Sequence, residues 1–179
     1  MSRKFVGPKR CIGPSKLASI LGMNRWCSRE QLKAELEQGS WQESNPAIEF
    51  GIKNEALAIK FYEHHRKLKV NEARFERDLN GRLVGKADGL VGVDGGLEVK
   101  CHNNRPPLDK IPLHYLVQIV AYMALYQRQW WDFMSCGFKD GRLDRVKIIR
   151  VYWCNHQDTW NLEWLPQIEQ FIEEVQWAA

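Results

Sequence analysis

Closely spaced cysteines are missing from this chain. Its five thiols, Cys11, Cys27, Cys101, Cys136 and Cys154, are scattered, odd in number and form no C-x-x-C pair. That spacing excludes the common zinc and four-cysteine iron–sulfur frameworks and does not read as a disulfide scaffold. The expectation is reduced thiols in an intracellular protein, not a secreted one. Long apolar runs are missing too, since charges interrupt each one well short of the roughly 20 residues that span a bilayer. The basic opening, Met1 to Arg10, has no apolar core of the kind a secretory signal needs. Internal repeats and low-complexity tracts are likewise lacking.

What is present fits a globular enzyme-sized unit. The 179 residues are 44% hydrophobic and 27% charged, which predicts one domain over residues 1–179 with a core of its own. The net charge of +4 is uneven: Arg3, Lys4, Lys9, Arg10 and Lys16 gather near the start, and the last stretch is acidic. A basic arm suits a polyanion such as nucleic acid.

Periodicity divides the chain into helices first and strands later. A helix is expected from Ser15, read as its N-cap, to Gly22, and a second over Arg29 to Gln38 between Ser28 and Gly39. Ser40 to Pro46 reads as a polar loop. Ala47 to Lys67 reads as an amphipathic helix with Ile48, Ile52, Ala56, Ile59 and Tyr62 as its stripe. Strands are then expected over 74–77, 83–91 and 96–101, a proline-containing loop over 103–112, and a helix over Leu113 to Tyr126. Strands over 130–138 and 146–153 and a helix from Thr159 to Ala179 complete the chain. This order predicts an α/β (α+β) fold, a mixed sheet flanked by helices.

One stretch carries chemistry. Lys86 to Lys100 reads as two strands around a Gly-rich turn, with Asp94 as ordinary turn material. Alternation sends Glu98 and Lys100 to one face of the second strand and Val99 to the other. Asp88 sits at the spacing that reaches the same end of the hairpin. On a solvated face such charges would be incidental, but Val91, Val93, Leu97 and Val99 predict burial on at least one side, where unpaired charge is costly. Two carboxylates and an ammonium brought together are the parts of a divalent-metal site that can attack a phosphodiester. Glu55 interrupts the apolar stripe of its helix, and Gln118 does the same among Val117, Ala121, Tyr122 and Leu125. A boundary Glu reaching for solvent and a Gln bonded to backbone are the competing readings. Trp26 is a candidate base-stacking wedge, with core packing as its alternative.

In order and interval, Gly51-x-x-x-Glu55, Asp88, Glu98-x-Lys100 and Gln118-x-x-x-Tyr122 resemble the PD-(D/E)xK nucleases. Gly-Leu-Glu-Val-Lys-Cys at 96–101, Ile-Gly-Pro-Ser at 12–15, Asn24 to Ser28, Pro112-x-x-Tyr115-x-x-Gln118 and Trp131-Asp132-Phe133 are similar to the phage lambda exonuclease and YqaJ-like viral recombinase branch. Ala87 stands where the name motif has proline. The resemblance covers about residues 10–135 and implies a restriction-endonuclease-like core. It also implies a Mg²⁺-dependent 5′→3′ exonuclease on linear double-stranded DNA, serving viral or phage recombination or genome processing. Asp88, Glu98 and the carbonyl of Val99 would hold one Mg²⁺ (Mn²⁺ substituting), and Glu55 a second ion or a water. Lys100 would contact the scissile phosphate, and Gln118 would orient a water or a phosphate oxygen. Arg10, Ser15 and Lys16 are the matching positions for grip on a DNA 5′-phosphate. The implied partners are DNA ends and a single-strand annealing protein, the assembly a homotrimer or a monomer, and the location a host cytoplasm or nucleus. A PD-(D/E)xK endonuclease and an inactive DNA-binding module are the alternatives.

Overall fold

Gly95–Asn103 and Trp130–Lys139 pair in parallel, and a parallel pair has to be joined by a crossover. The helix Leu113–Tyr126 is that crossover, and the rest of the chain is arranged around it. A computed structural model describes residues 3–177 except 8 and 44. In chain order the first elements are β1 (Arg3–Val6), a 3₁₀ turn at Pro14–Lys16 running into α1 (Leu17–Ile20), α2 (Arg29–Gln38), β2 (Ser40–Glu43) and α3 (Pro46–Arg66). Next come β3 (Val70–Asn71), β4 (Glu76–Asp78), β5 (Leu83–Gly85), β6 (Gly89–Val91) and β7 (Gly95–Asn103). The crossover is α4 (Leu113–Tyr126), followed by β8 (Trp130–Lys139), β9 (Arg142–Tyr152) and α5 (Leu165–Glu174). The main sheet is mixed, in the order β3-β6-β7-β8-β9, and two small antiparallel pairs, β1-β2 and β4-β5, lie outside it.

Alternation along β7 sorts the two faces. Leu97 and Val99 join Met134 and Cys136 of β8 under α3, whose Ala58 and Tyr62 are fully buried there. Trp131 and Phe133 face the other way, into a core with Val117, Val120 and Ala121 of α4 and Phe171 of α5. Gly96 makes the approach of β8 possible, because a Cβ there would lie 2.2 Å from the Trp131 ring. Asp132 is a carboxylate beneath α3 at 0% exposure, and it accepts two 2.8 Å hydrogen bonds from Arg150 and one of 2.7 Å from the Tyr62 hydroxyl.

α2 and α4 occupy the bounds their local signals predict. Ser28 and Gln31 form a capping box, and Gly39 closes α2 at φ 81°. Elsewhere, distant contacts override the local pattern. Ser40–Glu43 is a strand instead of a loop, because it pairs with Arg3–Val6. The predicted strand over 83–91 breaks at Lys86–Asp88 into β5, which pairs with β4, and β6, which pairs with β3 and β7. The backbone groups freed by the break are taken by phenols of α4. Tyr122 donates to the Lys86 carbonyl at 3.0 Å, and Ala87 N donates to the Tyr126 hydroxyl at 3.2 Å.

Three helices differ in detail. The first opens with a 3₁₀ turn capped by Gly13, so Ser15 sits inside the turn and is not its N-cap. On α3 the buried residues are Ala58 and Tyr62, while Ile48 (61%) and Ile52 (70%) are exposed, so the true inner face is rotated from the predicted stripe. The closing helix begins as a π turn at Thr159–Trp164 before α5, and Ala178 and Ala179 lie outside the described residues. Among the described residues no helix is long and apolar enough to cross a membrane.

Candidate active site

The β6–β7 hairpin places the first carboxylates. Gly89 pairs with Leu97, so Asp88, one residue before the ladder starts, stands beside Glu98 and Val99. Its Oδ2 accepts a 2.7 Å hydrogen bond from the Val99 backbone N–H. Glu98 points to the α4 side at 1% exposure. Its Oε1 accepts from the Lys100 ammonium, and also from Gln118 Nε2 at 2.8 Å. Its Oε2 is buried with no hydrogen-bond partner. Lys100 itself lies over the Tyr115 ring, 5.0 Å from the centroid.

Glu55 joins this group from α3. It sits half-buried one and two turns before Ala58 and Tyr62 on the inner face. With Asp88, Lys86 and Ile59 it lines one cleft of about 430 Å³. The five sequence candidates Glu55, Asp88, Glu98, Lys100 and Gln118 thus come together from α3, the β6–β7 hairpin and α4.

Their charges are strongly coupled. Burial, and then the Glu98 charge, push the Asp88 carboxyl well above its ordinary range. Glu55 is raised by burial and then by Glu98. Burial works to lower Lys100, but Glu98 and Asp88 outweigh it and hold the ammonium firmly protonated. Tyr122, below Gln118 on α4, is raised by burial and by the same two carboxylates. Among the described residues this sets three carboxylates against one buried ammonium, Lys100, with Lys86 at the exposed side of the cleft.

A divalent cation fits that imbalance. An orphaned buried carboxylate oxygen is costly to keep, and Glu98 Oε2 is one, beside an Asp88 carboxyl that its surroundings resist ionising. Among the described residues no three Asp, Glu, His or Cys side chains close into a ready-made cage. Asp88 and Glu98 would give only part of a coordination shell and leave the rest to water, which is the habit of Mg²⁺ and not of zinc.

The remaining candidates stand apart from this cluster. Arg10 is exposed, and its carbonyl accepts from Arg82 at 2.9 Å. Ser15 is exposed next to Pro14, whose ring abuts Gly85 just before Lys86. Lys16 is ion-paired with Glu35 at 3.0 Å and so is partly committed to α2. Trp26 is 62% exposed, which excludes the core-packing alternative. Sequence reasoning passed over Tyr115, the platform under Lys100, and Lys86, which shares the Glu55 cleft and pairs with Glu72 at 2.8 Å. Tyr115 belongs to the Pro112-x-x-Tyr115-x-x-Gln118 pattern, so one turn of helix before Gln118 was the available signal.

Residues 7–129 match the family described as the YqaJ-like viral recombinase domain. The chain belongs to this family. No curated protein matches it. Among solved structures it is similar to an alkaline exonuclease, LHK-Exo, from Laribacter hongkongensis, with TM-score 0.74 and 26% identity over 92% of this chain and 87% of that one. The dAMP complex of LHK-Exo matches with TM-score 0.74 at 24% identity over the same shares, 92% and 87%. A phage related exonuclease from Haemophilus somnus shares the fold at TM-score 0.67 and 14% identity, covering 96% of this chain and 95% of that one. These likenesses cover more of the chain than the YqaJ-like match does. Membership of the YqaJ-like family makes the protein a deoxyribonuclease, and its five-stranded mixed sheet between helices is the restriction-endonuclease-like architecture expected.

Proposed function

We propose that the protein is a Mg²⁺-dependent 5′→3′ exonuclease acting on linear double-stranded DNA in viral or phage recombination or genome processing. The observation that carries the metal-dependent reading is Glu98 Oε2, buried and unpartnered on a carboxylate whose other oxygen takes the Lys100 ammonium, with an acid that resists ionisation nearby. Asp88, Glu98 and the Val99 carbonyl would hold one ion, and Glu55 a second ion or the attacking water. A divalent cation there offsets charge on the scissile phosphate and makes a nearby water more acidic.

The chain's own groups do the positioning. Gln118 occupies Glu98 Oε1 and leaves Oε2 as the ligand atom. Lys100, held protonated, is a charge and hydrogen-bond donor for a non-bridging phosphate oxygen and not a base. Water attacks phosphorus and the P–O3′ bond breaks. A mononucleotide then leaves with its 3′-hydroxyl, and the shortened strand carries a new 5′-phosphate. Arg10, Ser15 and Lys16 would grip that phosphate by charge and a hydroxyl, with Lys16 exchanging its Glu35 partner for DNA.

The deciding experiment compares linear duplex bearing 5′-phosphate, the same duplex with 5′-hydroxyl, and a covalently closed circle, each with Mg²⁺ and with chelator. Mononucleotides and 3′-ended single strand from the phosphorylated linear duplex, in Mg²⁺ only, are expected. Equal cutting of the circle would replace the exonuclease with an endonuclease. Indifference to the end group would remove the role given to Arg10 and Ser15.

A further inference from the structure

A second concavity adjoins the carboxylate cluster and contains none of its acids. Arg25, Trp26, His102, Arg105, His114 and Tyr115 contribute to its wall, and its volume is about 500 Å³. That lies inside the roughly 300–1,000 Å³ typical of small-molecule sites. Among the described residues no carboxylate lines it. Tyr115 is the shared partition: its ring carries the Lys100 ammonium at 5.0 Å and meets the His114 ring at 4.1 Å. His114 in turn meets Trp26 edge-on at 5.0 Å.

The lining is built, not accidental. Trp26 sits on a turn fixed by Asn24, whose Oδ1 accepts from Trp26 N at 3.0 Å and whose Nδ2 donates to Ser19 Oγ at 2.9 Å. The capping box at Ser28 fixes the other side of that turn. Arg25 covers part of the indole at 4.4 Å, yet 62% of Trp26 remains exposed, which is costly for so large a ring unless something stacks on it. Across the pocket, Ser135 Oγ accepts from Leu108 N at 2.8 Å and shares a hydrogen bond with His102 Nε2 at 2.9 Å. Both histidines are depressed, chiefly by burial and then by neighbouring cations, so both rings are neutral at physiological pH.

We propose that this pocket takes one unpaired nucleotide, its base stacked on Trp26 and His114 and its phosphate toward Arg25 and Arg105. Aromatic faces interleaved with guanidinium groups are the chemistry that holds single nucleotides without reading their sequence. A fixed aromatic turn lowers the ordering cost of binding. The pocket's place beside Lys100 makes that nucleotide a neighbour of the scissile phosphate, and in this respect the inference rests on the nuclease reading above.

Binding measured by calorimetry in EDTA tests the pocket without needing hydrolysis. The ligands are dAMP, 2-deoxyribose 5-phosphate and a short single-stranded oligodeoxynucleotide, each against wild type, Trp26→Ala and Trp26→Phe. Wild type should bind the ligands bearing a base about tenfold more tightly than the sugar phosphate. Trp26→Ala should remove that advantage, and Trp26→Phe should restore most of it. Trp26 dependence with dAMP assigns the pocket to the released product, and with the oligonucleotide alone to the strand still attached; either supports the proposal. If wild type binds neither dAMP nor the oligonucleotide better than the sugar phosphate, or Trp26→Ala binds every base-bearing ligand as wild type does, the proposal is overturned. Because no cutting is involved, failure of the exonuclease assay leaves this result standing, and an intact exonuclease with Trp26-independent binding removes the pocket alone.

Discussion

The Tyr62 hydroxyl donates a 2.7 Å hydrogen bond to Asp132, 70 residues further along the chain, with both residues at 0% exposure. Arg150 grips the same carboxylate in a two-pronged contact and stacks 3.7 Å above Trp130. Tyr62 lies two turns beyond Glu55 on the inner face of α3. The bond therefore fixes the roll of the helix that carries Glu55 to the carboxylate cluster.

Tyr62→Phe removes that bond while Arg150 keeps Asp132 paired. A loss of about 1–2 kcal/mol in urea unfolding is expected. Asp132→Asn takes the charge from a fully buried acceptor that holds the exposed Arg150, and should cost more, up to about 3 kcal/mol. If Tyr62 positions Glu55, the cutting rate of Tyr62→Phe should fall under conditions where the protein is fully folded by circular dichroism. An unchanged rate would confine Tyr62 to stability.

Lys100→Ala should lower the cutting rate by about a hundredfold or more, since it removes the fixed donor at the phosphate. DNA binding with Ca²⁺ in place of Mg²⁺ should change only a few-fold, because one charge among several is lost. A filter or anisotropy assay alongside single-turnover cutting separates the two effects.

The raised Asp88 carboxyl has a definite pH consequence. The folded metal-free protein holds a proton there more tightly than the unfolded chain does, so stability falls as pH rises from the ordinary aspartate value, near 4, through the raised one. Asp88→Asn should therefore raise the melting temperature of the metal-free protein at pH 7–8 and abolish cutting. Mg²⁺ should stabilise wild type more at pH 8 than at pH 5.5, where protons compete for the same oxygens, and should not stabilise Asp88→Asn comparably. Thermal melts with and without Mg²⁺ at both pH values read all three.

Gly96→Ala puts a methyl group against the Trp131 ring, and something has to move. A cost of about 1–3 kcal/mol is expected from the overpacking. Cutting should suffer as well, since the displaced strand carries Glu98 and Lys100. A melt at equal protein concentration and a rate measured well below the midpoint would show both.

The parts of the fold written in neighbouring residues could be read directly. Ser28, Gln31 and Gly39 mark both ends of α2, and alternation alone puts Glu98 and Lys100 on one face of β7. Glu55 and Gln118 were visible as polar residues among apolar ones. What stayed hidden depends on partners far along the chain. β2 exists because β1 lies beside it, and the apolar Ile48 and Ile52 are exposed because no element covers that side of α3. The grouping of Trp26, His102 and His114 about Tyr115 needs three separate loops and helix ends to meet, which no local pattern encodes.

The interruption between β5 and β6 gives those hidden contacts a chemical meaning. Had the strand run on from Leu83 to Val91, Asp88 would have been one more rung, its backbone committed to a neighbour and its side chain sent wherever the pleat dictated. Tyr122 and Tyr126 relieve the Lys86–Ala87 backbone of that duty and let the chain leave the sheet just ahead of the acid. Asp88 thus owes its freedom of placement to two phenols that bond to the backbone just ahead of it. A change at either tyrosine should reach the carboxylate through the main chain as well as through any charge.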